Sequence, residues 1–160
     1  MTTPAERRDP YATFRPVRGA WVARISAVAS LLTFGLVAVF SPMPLGSDPS
    51  LTVLNRVAVA LIGVVMAAFL WRYAVLRAEP GPRGLRVVNL FSTTELEWAQ
   101  IVRVGFSGGA SWAVLELADT EELAVMAIQR ADGEHARREA SRLAALVEHH
   151  HRTAGGVDAG

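Results

Sequence analysis

Residues 25–40 read ISAVASLLTFGLVAVF and residues 57–71 read VAVALIGVVMAAFLW, and neither stretch contains a charged side chain. At a rise of 1.5 Å per residue, a helix of about 20 residues crosses a hydrocarbon core of roughly 30 Å. Each stretch reaches that length once its arginine-bearing flank is included, because the long arginine stem reaches the headgroup level. Two membrane spans are therefore predicted, over residues 21–41 and 55–76.

Two other interpretations of these stretches are disfavoured. Core helices of a soluble protein keep a polar stripe, and neither stretch has one. A cleaved signal peptide needs a small-x-small site, which residues 38–42 lack, and Pro42 lies where that site is expected. The pair Arg7-Arg8 is followed by an acidic residue and a proline far upstream of the apolar run, which argues against a twin-arginine signal. The first stretch is therefore interpreted as a retained span.

The placement of arginine predicts the orientation of the spans. Arginine is frequent before the first span and after the second, whereas the connection between them carries only Arg56, at the edge of the second span. By the positive-inside rule, residues 1–20 form a cytoplasmic N-terminal tail, residues 42–54 form an outside loop, and both termini are cytoplasmic. The expected localisation is the plasma membrane, as a multi-pass protein.

Aromatic and arginine side chains flank both spans on the predicted cytoplasmic side. Tryptophan and tyrosine concentrate at membrane–water interfaces, and arginine stems extend toward the headgroups. The candidate membrane-interface residues are Trp21, Arg24, Trp71, Arg72, Tyr73 and Arg77.

The composition excludes several classes of protein. The 160 residues are 51% hydrophobic and 19% charged, too apolar for a disordered chain. There is no cysteine, which excludes disulfide scaffolds, thiolate zinc sites and cysteine nucleophiles. All 16 basic residues are arginine, which excludes a P-loop lysine and Schiff-base chemistry. The formal net charge of +1 provides no general attraction to nucleic acid, and no nucleic-acid partner is expected.

The pattern changes at residues 79–84, where the sequence EPGPRG ends the helical stretch. Short runs of alternating apolar residues then predict antiparallel strands over residues 85–90, 93–98, 101–106, 112–117 and 123–127. Apolar residues at helical spacing from Ala136 to Val147 predict a closing helix with Asp132 as its cap. The predicted fold class is a membrane α-hairpin followed by a small α+β domain, in which a C-terminal helix caps a curved antiparallel sheet.

Four stretches of this segment carry a resemblance to a known family: GLRVVN at 84–89, LEWAQI at 96–101, WAVLELAD at 112–119 and VMAIQRADG at 125–133. On these motifs, residues 77–148 resemble the pleckstrin-homology-like (PH-like) domain of the low molecular weight protein antigen 6 family. That family occurs in actinobacterial membrane proteins, and the two preceding spans match its layout. Its fold has seven strands, whereas five are predicted after Gly84, with the family's first strand shortened into residues 77–83. Residues 149–160 are expected to form a flexible tail.

The resemblance implies a binding module rather than an enzyme. Some PH-like domains bind phosphoinositide headgroups, and others bind peptides or proteins. The lipid-binding members use a basic cluster in the first inter-strand loops. In this chain that region is taken to be residues 90–94, LFSTT, which has no basic residue. Phosphoinositide binding is therefore not expected, and the ligand of the domain stays unknown.

No group of residues predicts catalysis. The glycine-rich residues 105–110 are followed by neither a helix start nor a lysine, so a hairpin turn is favoured over a phosphate loop. Two glutamates at 121–122 lack a histidine partner and are interpreted as a solvated turn. Three histidines at 149–151 are able to bind a metal, but a frayed helix end is favoured. Trp98 and Trp112 are expected in the core rather than in a groove, with Trp112 beneath the C-terminal helix. No cofactor, metal or small-molecule substrate is expected.

Two functions remain after these exclusions. The favoured one is a membrane-anchored, non-catalytic PH-like binding or scaffold module on the cytoplasmic face, whose partners are the lipid bilayer and an unidentified protein. The alternative is a structural subunit of a larger membrane complex assembled through the transmembrane hairpin, because small residues in both spans allow close helix contacts.

Overall fold

The computed structural model describes residues 9–42 and 48–157. The chain divides into two compact units. One, called the hairpin below, consists of residues 18–75. The other, called the domain, combines the segment before the hairpin with everything after residue 75.

The hairpin consists of two long apolar helices, α1 (Arg18–Phe40) and α2 (Pro49–Ala74). Both are long and apolar enough to cross a membrane. They meet through small side chains, and Ser30 Oγ donates to the carbonyl oxygen of Gly63 at 3.4 Å. We call the contact between the helices the seam. The buried residues of the two helices are Ala23, Ala27, Ser30, Ala38, Gly63, Ala67 and Ala74. The large apolar side chains of both helices lie on the outside.

Helix α2 begins earlier than the sequence predicts, at residue 49 instead of 55. Asp48 is its N-cap and accepts a hydrogen bond from the Ser50 backbone N–H at 2.8 Å, and Pro49 occupies the first turn. The backbone N–H groups in the first turn of a helix have no partner within the helix, so a proline there costs no hydrogen bond. Pro49, which suggests a loop in the sequence, is therefore compatible with the start of a helix. The predicted outside loop, residues 42–54, is shortened accordingly, and residues 43–47 of that loop lie outside the described residues.

The domain contains two three-stranded antiparallel sheets and one long helix. The first sheet has the order β1-β2-β3 and the second β4-β5-β6. The strands are β1 (Arg77–Pro80), β2 (Gly84–Val88), β3 (Thr93–Glu97), β4 (Ile101–Gly105), β5 (Trp112–Leu117) and β6 (Glu122–Gln129), and the helix is α3 (Glu134–Val157). A single 3₁₀ turn, Trp98–Gln100, joins β3 to β4. The predicted fold class, a hairpin followed by an α+β domain with a C-terminal helix, is confirmed.

One apolar core joins the two sheets to α3. The face of α3 that carries Ala136, Ala140, Leu143 and Val147 is buried, as the helical spacing predicts. Side chains from all six strands belong to this core, among them Ala78, Leu85, Leu96, Ile101, Leu115 and Val125. Trp98 belongs to this core, whereas Trp112 is only half-buried and lies outside it. The expectation that Trp112 packs beneath the helix is therefore wrong, because β5 turns its small and aliphatic residues inward instead.

The segment before α1 is part of the domain. Residues 9–17, called the strap below, contain Phe14, which is fully buried and forms an antiparallel bridge with Ala78. The two backbone hydrogen bonds of this bridge measure 2.8 and 3.0 Å. The strap ends with the Val17 backbone N–H donating to Asp132 Oδ2 at 3.1 Å. The sequence predicts a tail over residues 1–20, but residues 9–17 belong to the domain and are bridged to β1 at Phe14, and residues 18–20 are the start of α1. Residues 1–8 lie outside the described residues.

The strap and β1 change the strand count. Five strands are predicted after Gly84, and the structure adds β1, which pairs with β2 from Arg77–Val88 to Pro80–Leu85. The strap then extends the first sheet by one bridged position beyond β1. The structure therefore has six strands and one bridged position of the strap, where the resemblance implies seven strands.

The C-terminal helix also extends further than expected. Residues 149–160 are predicted as a flexible tail, whereas α3 continues to Val157. The helix is held at residue 150, where His150 stacks on Trp98 with ring centroids 4.7 Å apart. The contact between His150 and the core residue Trp98 holds α3 against the domain beyond residue 148, where the sequence predicts that the domain ends.

Candidate functional site

The turn between β1 and β2 forms one side of a polar groove. Gly81 N–H donates to the Gly84 carbonyl at 2.8 Å, and Trp98 Nε1 donates to the Gly81 carbonyl at 2.9 Å. A Cβ at Gly84 would overlap the carbonyl oxygen of Leu96, so β2 and β3 approach each other closely only with glycine here. The turn is therefore fixed to the core at its base.

The groove has a volume of about 730 Å³. It is lined by the turn, by the ends of β1, β2 and β3 and by the 3₁₀ turn, and its polar lining residues are Glu79, Arg83, Arg86, Glu95, Glu97 and Gln100. We call it the β1–β2 groove.

Charges of both signs alternate along the groove and the adjacent strand face. Glu79 pairs with Arg77 at 2.7 Å and with Arg86 at 3.5 Å. Arg86 also reaches Glu95 at 3.5 Å. Arg83 is exposed in the turn itself. Because acidic and basic groups are interleaved, the groove matches a polar surface of mixed charge better than a polyanion.

The structure corrects the position of the first inter-strand loop. The sequence places it at residues 90–94, which lack a basic residue, but those residues follow β2. The first loop is residues 81–83, and it contains Arg83. Its basic neighbour Arg86 is paired with two glutamates, so the loop is not a simple basic cluster.

A second, smaller depression of about 300 Å³ lies beside the β4–β5 hairpin. Its turn contains Gly108 and Gly109 at φ of +48° and +85°, which confirms the predicted hairpin turn. Arg103 and Glu116 face each other across the strands at 3.9 Å. This pair is exposed and contributes little to stability.

An aromatic cluster connects the strap, the 3₁₀ turn and α3. His150 stacks parallel to Trp98, and its Nε2 lies 2.9 Å from the hydroxyl of Tyr11. His151 Nε2 lies 3.0 Å from the Trp98 carbonyl. Burial, followed by the neighbouring His149 and His151, lowers the pKa of His150 below its ordinary value of 6.5. The neutral imidazole is therefore the form that the folded domain favours.

A second contact of the strap involves a helix arginine. The Arg142 guanidinium lies 3.9 Å from the centre of the Phe14 ring, a cation–π contact. Its Nη2 bonds Glu139 at 2.6 Å, and its Nη1 lies 3.4 Å from the carbonyl oxygens of Asp9 and Pro10. Sequence reasoning missed these contacts. The signal present was a pair of aromatic residues, Tyr11 and Phe14, in a segment interpreted as a tail.

The predicted interface residues fall in both units. Trp21 is exposed near the start of α1 and Trp71 is exposed near the end of α2, and the antiparallel helices place these positions at the same end of the hairpin. Arg24 is exposed one turn further along α1, while Arg72 and Tyr73 are half-buried in the last turn of α2. The sixth candidate, Arg77, belongs to the domain, where it pairs with Glu79.

A metal-binding cluster is not found in the part of the chain that the structure describes. Within residues 9–42 and 48–157, no three His, Asp or Glu side chains converge in a way that would hold a metal ion. Glu121 and Glu122 are exposed at the β5–β6 turn.

Comparison with known proteins shows what the domain is similar to. Residues 76–145 match the family model described as the bacterial PH domain. The chain is 38% identical over 82 residues to proteins named as uncharacterized in Mycobacterium bovis and in two strains of Mycobacterium tuberculosis. That match covers 51% of this chain and 53% of each relative, so the chain spans about half the length of the curated relatives it matches. No solved structure matches the chain. Residues 76–145 are therefore similar to the bacterial PH domain.

Proposed function

We propose that this chain is a membrane-anchored, non-catalytic PH module that binds a protein partner at the cytoplasmic face. The observation that carries the proposal is the direct connection between the units: α2 ends at Ala74 and β1 begins at Arg77. A domain tethered this closely is confined to a thin layer beside the membrane, which raises its effective concentration toward membrane-bound partners.

The strap supports the topology in this proposal. Residues before α1 and after α2 contact each other through the Phe14–Ala78 bridge, and this contact supports a topology in which both flanks of the hairpin lie on one side of the membrane. Arginine is concentrated in these flanks, which favours the cytoplasmic side.

The β1–β2 groove is the surface proposed for the partner. Its interleaved acidic and basic side chains suit a protein segment that carries both signs of charge. The proposal includes neither a nucleic acid nor a small-molecule substrate. The lipid bilayer that holds the hairpin is the second proposed partner.

Co-purification tests the groove. The full chain is isolated from native membranes after mild cross-linking, as unaltered protein and as Arg83→Glu. The control is Arg137→Glu, which reverses the charge of an exposed arginine on α3. The proposal expects partners to be lost with Arg83→Glu and kept with Arg137→Glu. Partners that survive the groove substitution unchanged would contradict it.

Cysteine labelling tests the topology, because the chain has no cysteine of its own. Single variants Ser47→Cys and Ser141→Cys are treated with a membrane-impermeant thiol reagent on intact cells. Labelling is expected at position 47 and not at position 141. The reverse pattern would overturn the cytoplasmic assignment.

The second candidate function is a structural subunit held in a larger complex by the hairpin. It is favoured by one observation, the large apolar side chains that cover the outer faces of α1 and α2 and offer as much surface to other helices as to lipid. A chain shortened to the strap and hairpin distinguishes the two. Partners retained by this shortened chain favour the subunit, and partners lost with the domain favour the module.

A further inference from the structure

Strand β3 is the last strand of the first sheet, and one of its two edges faces no other strand. The sheet has the order β1-β2-β3, and β3 pairs with β2 along its whole length, from Thr93 to Glu97. Within the residues that the structure describes, no strand or bridge pairs with the opposite side of β3. An unpaired edge carries backbone N–H and C=O groups that are able to bond an added strand. We call this side of the strand the β3 edge.

The strand register identifies the backbone groups of the β3 edge. At the turn between β2 and β3, the Asn89 N–H donates to the Ser92 carbonyl at 2.9 Å, so these two opposed residues form a hydrogen-bonded pair. Such pairs alternate along an antiparallel ladder, so the next residues of β3 that bond β2 are Thr94 and Leu96. The other residues of β3 direct their backbone N–H and C=O groups to the β3 edge, namely Thr93, Glu95 and Glu97.

One end of the β3 edge is already closed. Gln100 Oε1 accepts from the Glu97 backbone N–H at 2.8 Å, and the Glu97 side chain accepts from the Gln100 backbone N–H. Among residues 9–42 and 48–157, no group bonds the outward backbone atoms of Thr93 and Glu95. The part of the edge that is open to a new strand therefore runs from Thr93 to Glu95.

A row of alternating charges crosses the first sheet and ends at the β3 edge. Glu79, Arg86 and Glu95 lie opposite one another on β1, β2 and β3. Arg86 lies 3.5 Å from both carboxylates, and Glu79 also has Arg77 at 2.7 Å. Glu95 therefore shares its arginine with Glu79, and its side chain is 78% exposed. A cation opposite Glu95 on a fourth strand would continue the row, since opposite charges on facing positions stabilise a strand pair.

The same charges disfavour a second copy of this chain as the added strand. Two β3 edges that pair with each other bring the carboxylates of Glu95 and Glu97 from both copies together. Like charges on facing positions destabilise a strand pair. A segment with an arginine or lysine in that position meets attraction instead, so charge complementarity selects a basic partner strand.

From this edge and its charges we propose that the domain binds an extended segment of its partner protein as a fourth strand beside β3, with an arginine or lysine opposite Glu95. The inference rests on the proposed function, because Glu95, Glu97 and Gln100 also line the β1–β2 groove. It adds how the partner segment is held: main-chain hydrogen bonds along the β3 edge provide the affinity, and the cation provides the specificity.

Selection from a library of short random peptides displayed on phage tests the charge. The target is the full chain in lipid nanodiscs, and empty nanodiscs remove background binders. Glu95→Arg is compared with Glu122→Arg, the matched control, because Glu122 is also an exposed glutamate in a strand. We expect arginine or lysine to be enriched at one position by the unaltered chain and by Glu122→Arg, and aspartate or glutamate by Glu95→Arg. No enrichment over empty nanodiscs, or an unchanged preference with Glu95→Arg, would overturn the proposal.

Proline tests the main-chain hydrogen bonds. Thr93→Pro removes an outward N–H and no bond to β2, and proline is tolerated at the first residue of a strand. Thr93→Ala is the matched control because it keeps the N–H. A selected peptide should bind Thr93→Ala like the unaltered chain and Thr93→Pro about fivefold more weakly, the usual effect of one hydrogen bond. Equal affinities of the two variants at equal melting temperature would overturn strand addition.

Methylated peptides repeat the test on the unaltered chain, so that it does not depend on the folding of Thr93→Pro. Methylation of single peptide amides should weaken binding at alternate positions, and a peptide that tolerates methylation everywhere would overturn strand addition. A chain that is dimeric when unaltered and monomeric as Thr93→Pro would show a second copy on the β3 edge, and would also overturn the proposal. Native partners lost with Arg83→Glu but kept with Thr93→Pro would refute only this inference and leave the β1–β2 groove as the binding site.

Discussion

The hairpin and the domain use apolar side chains in opposite ways. In the hairpin the buried residues are alanine, glycine and serine, while Leu32, like most large side chains of the two helices, is exposed, at 61%. In the domain large side chains are buried as well as alanine, and Leu143 is completely inaccessible. Water drives apolar groups into the domain core. No such drive acts between helices in lipid, where close backbone approach and packing hold helices together. The difference is the one expected between a hairpin that spans a membrane, as proposed above, and a domain that folds in water.

The largest expected effect comes from removing one large ring in each unit. Phe14→Ala empties a buried position of the domain and removes the cation–π contact with Arg142, and should destabilise the domain by about 3–5 kcal/mol. Phe40→Ala, on an exposed position of α1, should leave the domain's melting temperature unchanged. Near-UV circular dichroism of the full chain in detergent during heating measures both. Equal melting temperatures for the two variants would contradict the conclusion that Phe14 is a core residue of the domain and Phe40 is not.

A smaller effect is expected from adding a methyl group to the hairpin seam. A Cβ at Gly63 would lie 2.5 Å from Cβ of Phe34, so Gly63→Ala forces the helices apart and should cost about 1–3 kcal/mol. Gly35→Ala is the matched control, because nothing lies within 4 Å of a Cβ there and alanine favours the helix. Titration with a denaturing detergent, followed by far-UV circular dichroism, compares the two. A seam that tolerates Gly63→Ala as well as Gly35→Ala would contradict the close packing described.

The smallest effect concerns pH, and it should be confined to the domain. Burial and the neighbouring histidines lower the pKa of His150, so the folded state binds its proton less tightly than the unfolded chain. The resulting stability is present above the unfolded value of 6.5 and is lost as the pH falls below it. The melting temperature of the domain is expected to drop between pH 7 and pH 5, and the drop should shrink in His150→Gln.

The hairpin provides the internal control for this pH series, since residues 18–75 contain no histidine. Its detergent-induced transition should stay constant across the same interval. A domain whose melting temperature is flat from pH 7 to pH 5 would show that the contact of His150 with Trp98 and Tyr11 does not depend on protonation.

Local patterns were sufficient for most of the fold. The length of the uncharged stretches predicted both apolar helices, and the alternation of apolar and polar residues predicted β2 to β6. The helical spacing of apolar residues predicted the buried face of α3. The start of α2 was misplaced because proline in the first turn of a helix and proline in a loop look alike in sequence. Strand β1 was merged into the break around Pro80 for a similar reason.

The contacts around the strap were beyond local patterns. Phe14 contacts Ala78, which follows the whole hairpin in the sequence, and Arg142, which follows both the hairpin and all six strands. No periodicity within residues 9–17 encodes such a contact. The β1–β2 groove was missed because its first loop was assigned one strand too late. The features that the sequence did not predict, in the fold and in the candidate site, therefore depend on contacts between residues far apart in the chain.

The bridge between Phe14 and Ala78 has a consequence for how the protein is made. Residue 14 leaves the ribosome before either helix, and residue 78 leaves after both, so the domain is unable to complete its core until the whole hairpin has been synthesised. If the hairpin spans a membrane, as proposed above, a chain in which only one helix has crossed would carry these two residues on opposite sides and would be unable to complete its domain.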